Sequence, residues 1–312
     1  MNESLDQDIF EKSCLIFGQT HVFIRTLPSE RLLVNHFVIL TANIMLVFPT
    51  ILLNAVSIIT IVKSSQLKSK ICYFIILMES VTDLTVGLFG IPLFLIFLIT
   101  GIGKISNCLI AILAYRSSVL PIGVSILTLS ALTMERYIAI LHPYSYSTQV
   151  TKKRILTYVC FGVVVMFGIV ILSLAIEGLI KRFTMALAIL FFTSAAYIYT
   201  KIYTVVRKLA CSKNELQDSQ VVNNLTRQKM FIQEIKQAKN CFIVVICFFF
   251  LCFLPVIVTN VVAGSVNKYK LQAIQNWATT LGLSNSSINS VIFFWTKTLL
   301  RKEAIKFLKA AV

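Results

Sequence analysis

Residues 127 to 149, LTLSALTMERYIAILHPYSYSTQ, set an acid and a base side by side, Glu135 and Arg136, with Tyr137 behind them, at the end of a long apolar stretch. Charges in such a place can anchor a helix end by reaching the membrane interface. A second polar group lies deeper: Asp83, in VTDLTVG, falls inside an apolar run. A buried acid is costly unless it is protonated, paired or coordinated, so it is a functional hypothesis by default. Asn285 and Asn289, four residues apart, share one helix face. Catalytic chemistry is not expected. The three histidines, His21, His36 and His142, are not grouped with acids at metal-ligand spacing, and no glycine-rich phosphate loop is present.

The elements that must hold these residues are helices in a membrane. Of 312 residues 57% are hydrophobic and 13% charged, with a mean hydropathy of +0.83, too apolar for an ordinary soluble domain. Seven runs are poor enough in charge and long enough to span about 30 Å of hydrocarbon. They lie between Arg31 and Lys63, Lys70 and Lys104, Lys104 and Glu135, Arg154 and Glu177, Arg182 and Lys201, Lys239 and Lys268, and Lys270 and Lys297. Open strands would leave backbone groups unpaired in lipid, and no ten-residue alternation of a barrel occurs. The expected fold is an all-α bundle of seven transmembrane helices. Its divisions are an extracellular tail over 1–35, a membrane domain over 36–296 and a cytoplasmic amphipathic helix with tail over 297–312, where Leu299, Leu300, Ile305, Phe307 and Leu308 alternate with basic residues.

Lysine and arginine set the orientation. The segments after spans one, three and five and the C-terminal tail hold three, four, eight and five of them, twenty of the 29 in the chain. The N-terminus is therefore expected outside and the C-terminus in the cytoplasm of a multi-pass plasma-membrane protein. The net charge of +16 fits attraction to an anionic inner leaflet; the basic residues are spread through short loops, which argues against nucleic acid. MNESLDQDIFEKSC is acidic and polar rather than signal-peptide-like, so span one is expected to act as its own insertion signal. Asn2-Glu3-Ser4 is a glycosylation sequon on the outside. Of eight cysteines, only Cys14 and Cys108 fall on the oxidising side and form the one candidate disulfide.

Taken in order, these residues resemble the rhodopsin-like (class A) G protein-coupled receptors over residues 36 to 309. The resemblance rests on Asn54 in LLNAVSI, Asp83 with Pro92 nine residues on, Glu135-Arg136-Tyr137 followed by Pro143, Tyr199 in YIYTKIYTVVRK, Cys252 and Pro255 in FFFLCFLP, and NSSINSVIFF in span seven. It implies a receptor that passes an extracellular chemical signal to a cytoplasmic heterotrimeric G protein. It also implies a switch made of Glu135, Arg136, Tyr137, Tyr199, Asn289 and Phe293, with Glu234 a further candidate partner of Arg136. Asp83, Ser125, Asn285 and Asn289 match the positions around that family's allosteric sodium ion, a set of oxygen donors that suits a hard cation; an ion-free hydrogen-bond network is the alternative. The ligand pocket implied by position comprises Arg116, Ser118, Phe183, Leu187, Phe253, Asn260 and Thr279, and suits a small apolar, lipid-like or weakly acidic molecule. Ser118 and Leu283 stand where amine receptors carry an aspartate and opsins a lysine.

The departures are Ser290 for a proline, Phe293 for a tyrosine and Phe253 for a tryptophan. The short outer loop, EGLIKR, has no cysteine, which is similar to the melanocortin, adenosine, cannabinoid and lysolipid-type branch. A channel or transporter is the rival reading. Proton-linked current lost with Asp83→Asn would favour it, and nucleotide exchange lost with Arg136→Ala would favour the receptor.

Overall fold

The computed structural model describes residues 11–16, 19–24, 30–103, 105, 107–176, 178–212 and 221–311. Seven long helices follow one another: α1 (Glu30–Lys63), α2 (Ile71–Ile102), α3 (Cys108–Leu141), α4 (Lys152–Leu172), α5 (Leu179–Ser212), α6 (the consecutive segments Val221–Phe248, Phe249–Phe253 and Leu254–Val262) and α7 (Lys268–Thr296). A shorter α8 (Thr298–Ala311) completes the fold. Side-chain caps fix three of the starts. Asn107 accepts from the Leu109 amide, Thr151 from that of Arg154 and Asn267 from that of Lys270, which satisfies donors that a helix N-terminus leaves open.

Two helices carry a widened π turn immediately before a proline: Val86–Gly90 precedes Pro92 in α2, and Phe249–Phe253 precedes Pro255 in α6. Proline lacks the N–H that would bond back to residue i−4 and its ring crowds that carbonyl. A wider turn removes the clash. The kink expected from Pro255 is thus a five-residue loosened segment with Phe253 as its last member.

Among the described residues, six helices, α1 to α6, are long and apolar enough to cross a membrane. α7 has the length, 29 residues or about 43 Å at 1.5 Å per residue, but much of its buried face is polar. Asn276, Thr280, Asn285, Ser286, Ser287, Asn289 and Ser290 all point inward. Polar residues turned to a bundle interior make a span less hydrophobic without making it less a span.

The interior has an outer cluster around Phe94, Leu98, Ile39 and Leu283 and a larger inner one around Phe248, Phe191, Leu129 and Ile76. Phe48, Phe161, Val164 and Trp295 lie exposed on the outer surface, as lipid-facing side chains do. Close helix approach uses small residues. A Cβ on Gly87 of α2 would sit 2.8 Å from Ile51 Cγ1 of α1, and one on Gly162 of α4 would strike Leu127 of α3.

Several expectations change. The described chain is not entirely helical, because Glu11–Ile16 (β1) and Gln19–Ile24 (β2) pair antiparallel, from Glu11 opposite Ile24 to Ile16 opposite Gln19. The β-branched and aromatic residues of QTHVFI, and the Phe17-Gly18 pair that separates the two runs in sequence, fit a hairpin. α1 begins at Glu30, inside the stretch expected to be tail. α3 continues past Glu135-Arg136-Tyr137 to Leu141. Gly178, with φ of 69°, turns the chain into α5, so Leu179–Arg182 of the expected outer loop belong to that helix.

Candidate functional site

Two polar centres occupy the bundle, one at the inner end of α3 and one midway along α2 and α7. At the inner end Glu135 and Arg136 are 1% and 3% exposed, and they form the one ion pair among the described residues. Both Arg136 Nε and Nη2 donate to the Glu135 carboxylate, the bidentate arrangement that guanidinium favours. Tyr146, in the one-turn helix Tyr146–Gln149, donates to Glu135 Oε1 at 2.7 Å. Burial and the adjacent Glu135 carboxylate both push the Tyr146 hydroxyl above its ordinary range, so it remains a donor at neutral pH. Arg136 Nη1 also crosses to α6, donating to Gln237 Oε1 at 2.8 Å. Gln237 carries no charge and was invisible to a search for acidic partners. Glu234, the partner considered on sequence, has its side chain outside the described residues, three positions earlier on the same helix.

The other switch candidates fall around this pair. Tyr137 is turned away from the Glu135 carboxylate and stacks obliquely on His142, ring centroids 5.7 Å apart. Tyr199 packs on Phe242 of α6 at 4.8 Å; its buried hydroxyl faces that of Thr133 without reaching ordinary hydrogen-bond geometry. Lys297, at the α7–α8 junction, is 6% exposed and its ammonium is buried without a hydrogen-bond partner, close to Cys72 and Cys241. Sequence reading gave it only to the cytoplasmic basic set. Lys63 of α1 lies 4.4 Å above the Phe307 ring and ties α8 to the bundle.

The deeper centre gathers four helices. Asp83 and Glu79, one turn apart on α2, are 1% and 2% exposed. Asn289 of α7 bridges them: its Nδ2 donates to Glu79 Oε1 at 2.9 Å and to Asp83 Oδ2 at 3.4 Å. Thr128 of α3 donates to Glu79 Oε2, Ser125 interacts with Glu79, and Ser286 interacts with Asp83. Glu79, a second carboxylate within α2, is not among the site residues expected from the sequence. Its direction became clear only once the rotation of α2 against α3 and α7 was fixed.

Three acceptor oxygens here remain unpaired although buried: Asp83 Oδ1, Asn285 Oδ1 and Asn289 Oδ1. Ser125, Asn285 and Ser286 share the wall of a cavity of about 10 Å³ beside them. Buried acceptors without donors are costly, and oxygens left open around two carboxylates are what a hard cation requires. No group of three His, Cys, Asp or Glu side chains is present among the described residues. The donor set is therefore one of carboxylates, amides and hydroxyls.

α1 is stitched to α7 alongside this centre. Ser290 donates to Asn54 Oδ1 at 2.6 Å, and Asn54 Nδ2 donates to the Thr50 and Ser286 carbonyls at 2.8 and 3.2 Å. Thr50 and Ser287 share a short hydrogen bond, and Asn43 donates to Thr280 at 2.8 Å. Phe293, 3% exposed, joins Ile75, Ile76 and Leu132 in the inner cluster and lines a small cavity with Glu79 and Thr128.

The residues expected to bind ligand do not line one described cavity. Leu187 lines a cavity of about 440 Å³ between α3, α4 and α5. Phe253 instead packs on Phe192 and Phe249, centroids 5.0 and 5.7 Å away. Arg116, Phe183, Asn260 and Thr279 are half-buried, while the Ser118 side chain lies outside the described residues, as does Glu177. Nearer the outer face, Tyr115 donates to Asn276 at 2.8 Å and Trp277 to Asn35 at 2.9 Å, and an imidazole nitrogen of His36 meets the Leu98 carbonyl oxygen at 3.0 Å. Cys108 is disulfide-bonded, and strand β2 approaches α3. The Cys14 side chain and the Asn2 sequon lie outside the described residues.

The chain was compared with known proteins. No curated protein matches it. Residues 53–182 match the family described as 7 transmembrane receptor (rhodopsin family). That segment carries Asn54, Asp83, Ser125, Glu135, Arg136 and Tyr137, whereas Tyr199, Phe253 and the asparagines of α7 lie beyond it. The chain is a seven-helix multi-pass membrane protein, and from the latter part of α1 to the start of α5 its sequence is similar to that of the rhodopsin-like receptors.

Proposed function

We propose that this protein is a plasma-membrane receptor that converts an extracellular small-molecule signal into nucleotide exchange on a cytoplasmic heterotrimeric G protein. The observation that carries this reading is the buried Arg136, held by Glu135 on its own helix and by Gln237 on α6. A charge that bridges two helices, through Gln237 among the described residues, is a latch between two helix arrangements, and a ligand that binds one arrangement better shifts the population toward it. The loosened segment Phe249–Phe253 in front of Pro255 is the place where α6 can bend. Release of Arg136 would free its guanidinium for the G protein and for Tyr199, whose hydroxyl is unpaired in the latched arrangement.

In the same reading the N-terminus is outside, Asn2 is the glycosylation acceptor and Cys14 is the partner of Cys108, joining the hairpin to the outer end of α3. Arg116, Ser118, Phe183, Leu187, Phe253, Asn260 and Thr279 serve a ligand that is small, apolar and lipid-like or weakly acidic, as in the lysolipid-type branch. Asp83, Ser125, Asn285 and Asn289 would hold a sodium ion, and Glu79 adds a second carboxylate to them. When bound, the ion supplies the positive charge and the electron-pair acceptor that the open oxygens lack. The protein residues themselves hold α2, α3 and α7 together through Asn289, Thr128 and Ser286.

Guanine-nucleotide exchange in membranes containing the protein, with and without a small-molecule panel, tests the reading beside Arg136→Ala at equal surface level. Exchange above background that the substitution alters is the expected result. No exchange with any G protein and any ligand, from surface-verified protein, would overturn it.

A further inference from the structure

The cavity of about 440 Å³ between α3, α4 and α5 is separate from the polar centre and shares only Glu135 with the latch and Leu187 with the expected ligand pocket. Its origin is geometric. α4 and α5 each pack along α3 but touch one another over only a short stretch, and Gly162 brings α4 hard against Leu127 at one level of α3. Toward the inner end the two helices leave a cleft. It opens sideways, because the wall residues Leu190, Met134 and Tyr158 are 66%, 49% and 45% exposed on a surface that faces lipid.

Length, polarity and charge together identify what fits. On α3 the cleft runs from Ile126 to Ile138, twelve residue steps or about 18 Å at 1.5 Å per residue. One leaflet contributes half of a hydrocarbon core of about 30 Å, or about 15 Å, so the cleft has the length of one acyl chain lying along the bundle. Over that length the walls are almost wholly apolar, with Ile126, Ala131, Phe191 and Ala195 among them. The Ser130 hydroxyl is already taken by Leu127 O and Tyr158. Polarity gathers at the inner mouth, at Gln149, Glu135 and Arg154.

Glu135 is consumed there by Arg136 and Tyr146, which leaves Arg154 as the net charge of the mouth. Its guanidinium is steered to that position by donating to the Gln149 carbonyl at 3.2 Å. Exposed Lys153 is next to it in the first turn of α4, and the N-terminal end of this 21-residue helix adds its own positive potential.

We propose that the cleft is a binding site for an anionic phospholipid of the inner leaflet, with one acyl chain between α4 and α5 and the headgroup on Arg154. An apolar slot one leaflet deep with a cation at the interface distinguishes such a lipid from a zwitterionic one. A soluble ligand would not use the sideways opening.

The test uses the full chain in nanodiscs whose two leaflets have the same composition, so its outcome depends neither on orientation nor on G protein coupling. Tyr158→Trp puts an indole on the cleft wall. Quenching by dibrominated phosphatidylserine is compared with quenching by dibrominated phosphatidylcholine at equal mole fraction. Protein without the substitution gives the background from Trp277 and from Trp295, which faces ordinary surrounding lipid. The expected result is an apparent affinity about fivefold higher for the serine lipid at the new indole, the factor corresponding to about 1 kcal/mol for one basic residue near the surface. It should fall to parity when Arg154→Gln is added and in 1 M salt, where screening acts within about 3 Å. Ala195→Phe, which fills the slot, should remove the preference with the mouth intact. Equal quenching by the two lipids, or a preference that survives Arg154→Gln and high salt, would overturn the assignment.

Discussion

Replacing Gln237 with alanine removes the described bond between Arg136 and α6 while leaving the Glu135–Arg136 pair in place. A hydrogen bond to a charged group contributes about 1.5–3 kcal/mol, and Arg136, 3% exposed, has little water to substitute for the lost oxygen. If the whole of that energy favours the latched arrangement, its loss shifts the equilibrium by about tenfold to about 140-fold, at about 1.4 kcal/mol per factor of ten. A receptor with about 1% of molecules unlatched, within the usual range for a minor state, would rise to about 10% at the low end and to about 60% at the high end. The assay is ligand-free nucleotide exchange at matched surface expression. Gln237→Ala should raise it roughly tenfold or more, and Gln237→Glu, which offers the guanidinium a second carboxylate, should lower it below the unsubstituted level. If the alanine substitution leaves basal exchange unchanged, the bond has equal strength in both arrangements and the latch argument fails.

Four other outcomes follow from the same structure. Sodium should raise the Tm of the purified protein over that in an organic-cation buffer, and Asp83→Asn should abolish the difference; a sodium effect that survives the substitution places the ion elsewhere. Ser290→Ala leaves Asn54 Oδ1 without its hydroxyl donor and should lower thermal stability by about 0.6 kcal/mol, and at most about 1.7, the range for hydrogen bonds between membrane helices. Lys297→Met replaces a buried ammonium whose described neighbours are the Cys72 and Cys241 thiols with an apolar chain of similar length and should raise Tm; a fall would mean that the contacts with those thiols outweigh the cost of burial. Gly87→Val should lower the yield of folded protein in a ligand-free thermal assay, because its Cβ meets both the Ile51 side chain and, at 3.3 Å, the Ile51 amide nitrogen, and backbone cannot turn aside as a side chain can.

Much of the architecture is legible in the residues themselves because bilayer thickness converts composition into span length. The seven charge-poor runs, the basic inner loops and the amphipathic repeat after Lys297 need no tertiary information. The Glu135–Arg136 pair is legible for the same reason, as adjacency in sequence already places the charges together. What could not be read depends on helix rotation or on uncharged groups. Gln237 has no charge to mark it as a partner. Glu79 belongs to the centre only because α2 turns it toward Thr128 and Asn289. The cleft between α4 and α5 comes from divergence of two helices and leaves no period in either. The β1–β2 hairpin was missed because two six-residue strands were subsumed in a stretch read as tail.

The departures at Ser290 and Phe293 take on a physical meaning in this context. A proline at 290 would withhold the backbone N–H that bonds to the carbonyl of residue 286 and would loosen α7 there. Serine restores that donor, so α7 runs unbroken from Lys268 to Thr296, and its hydroxyl adds a bond to Asn54 whose amide in turn reaches the Ser286 carbonyl. Phe293 continues the effect. A phenyl ring in the inner cluster beneath Glu79 gains burial but offers no hydroxyl to exchange between partners. Motion of the inner half of α7 would therefore have to break its ties to α1 and expose apolar surface. α6 is built differently: it keeps a proline, a loosened turn in front of it and, among the described residues, a hydrogen bond from Arg136 to the neutral Gln237. In the proposed receptor the switching would accordingly be concentrated on α6, with α7 as the fixed wall against which it moves.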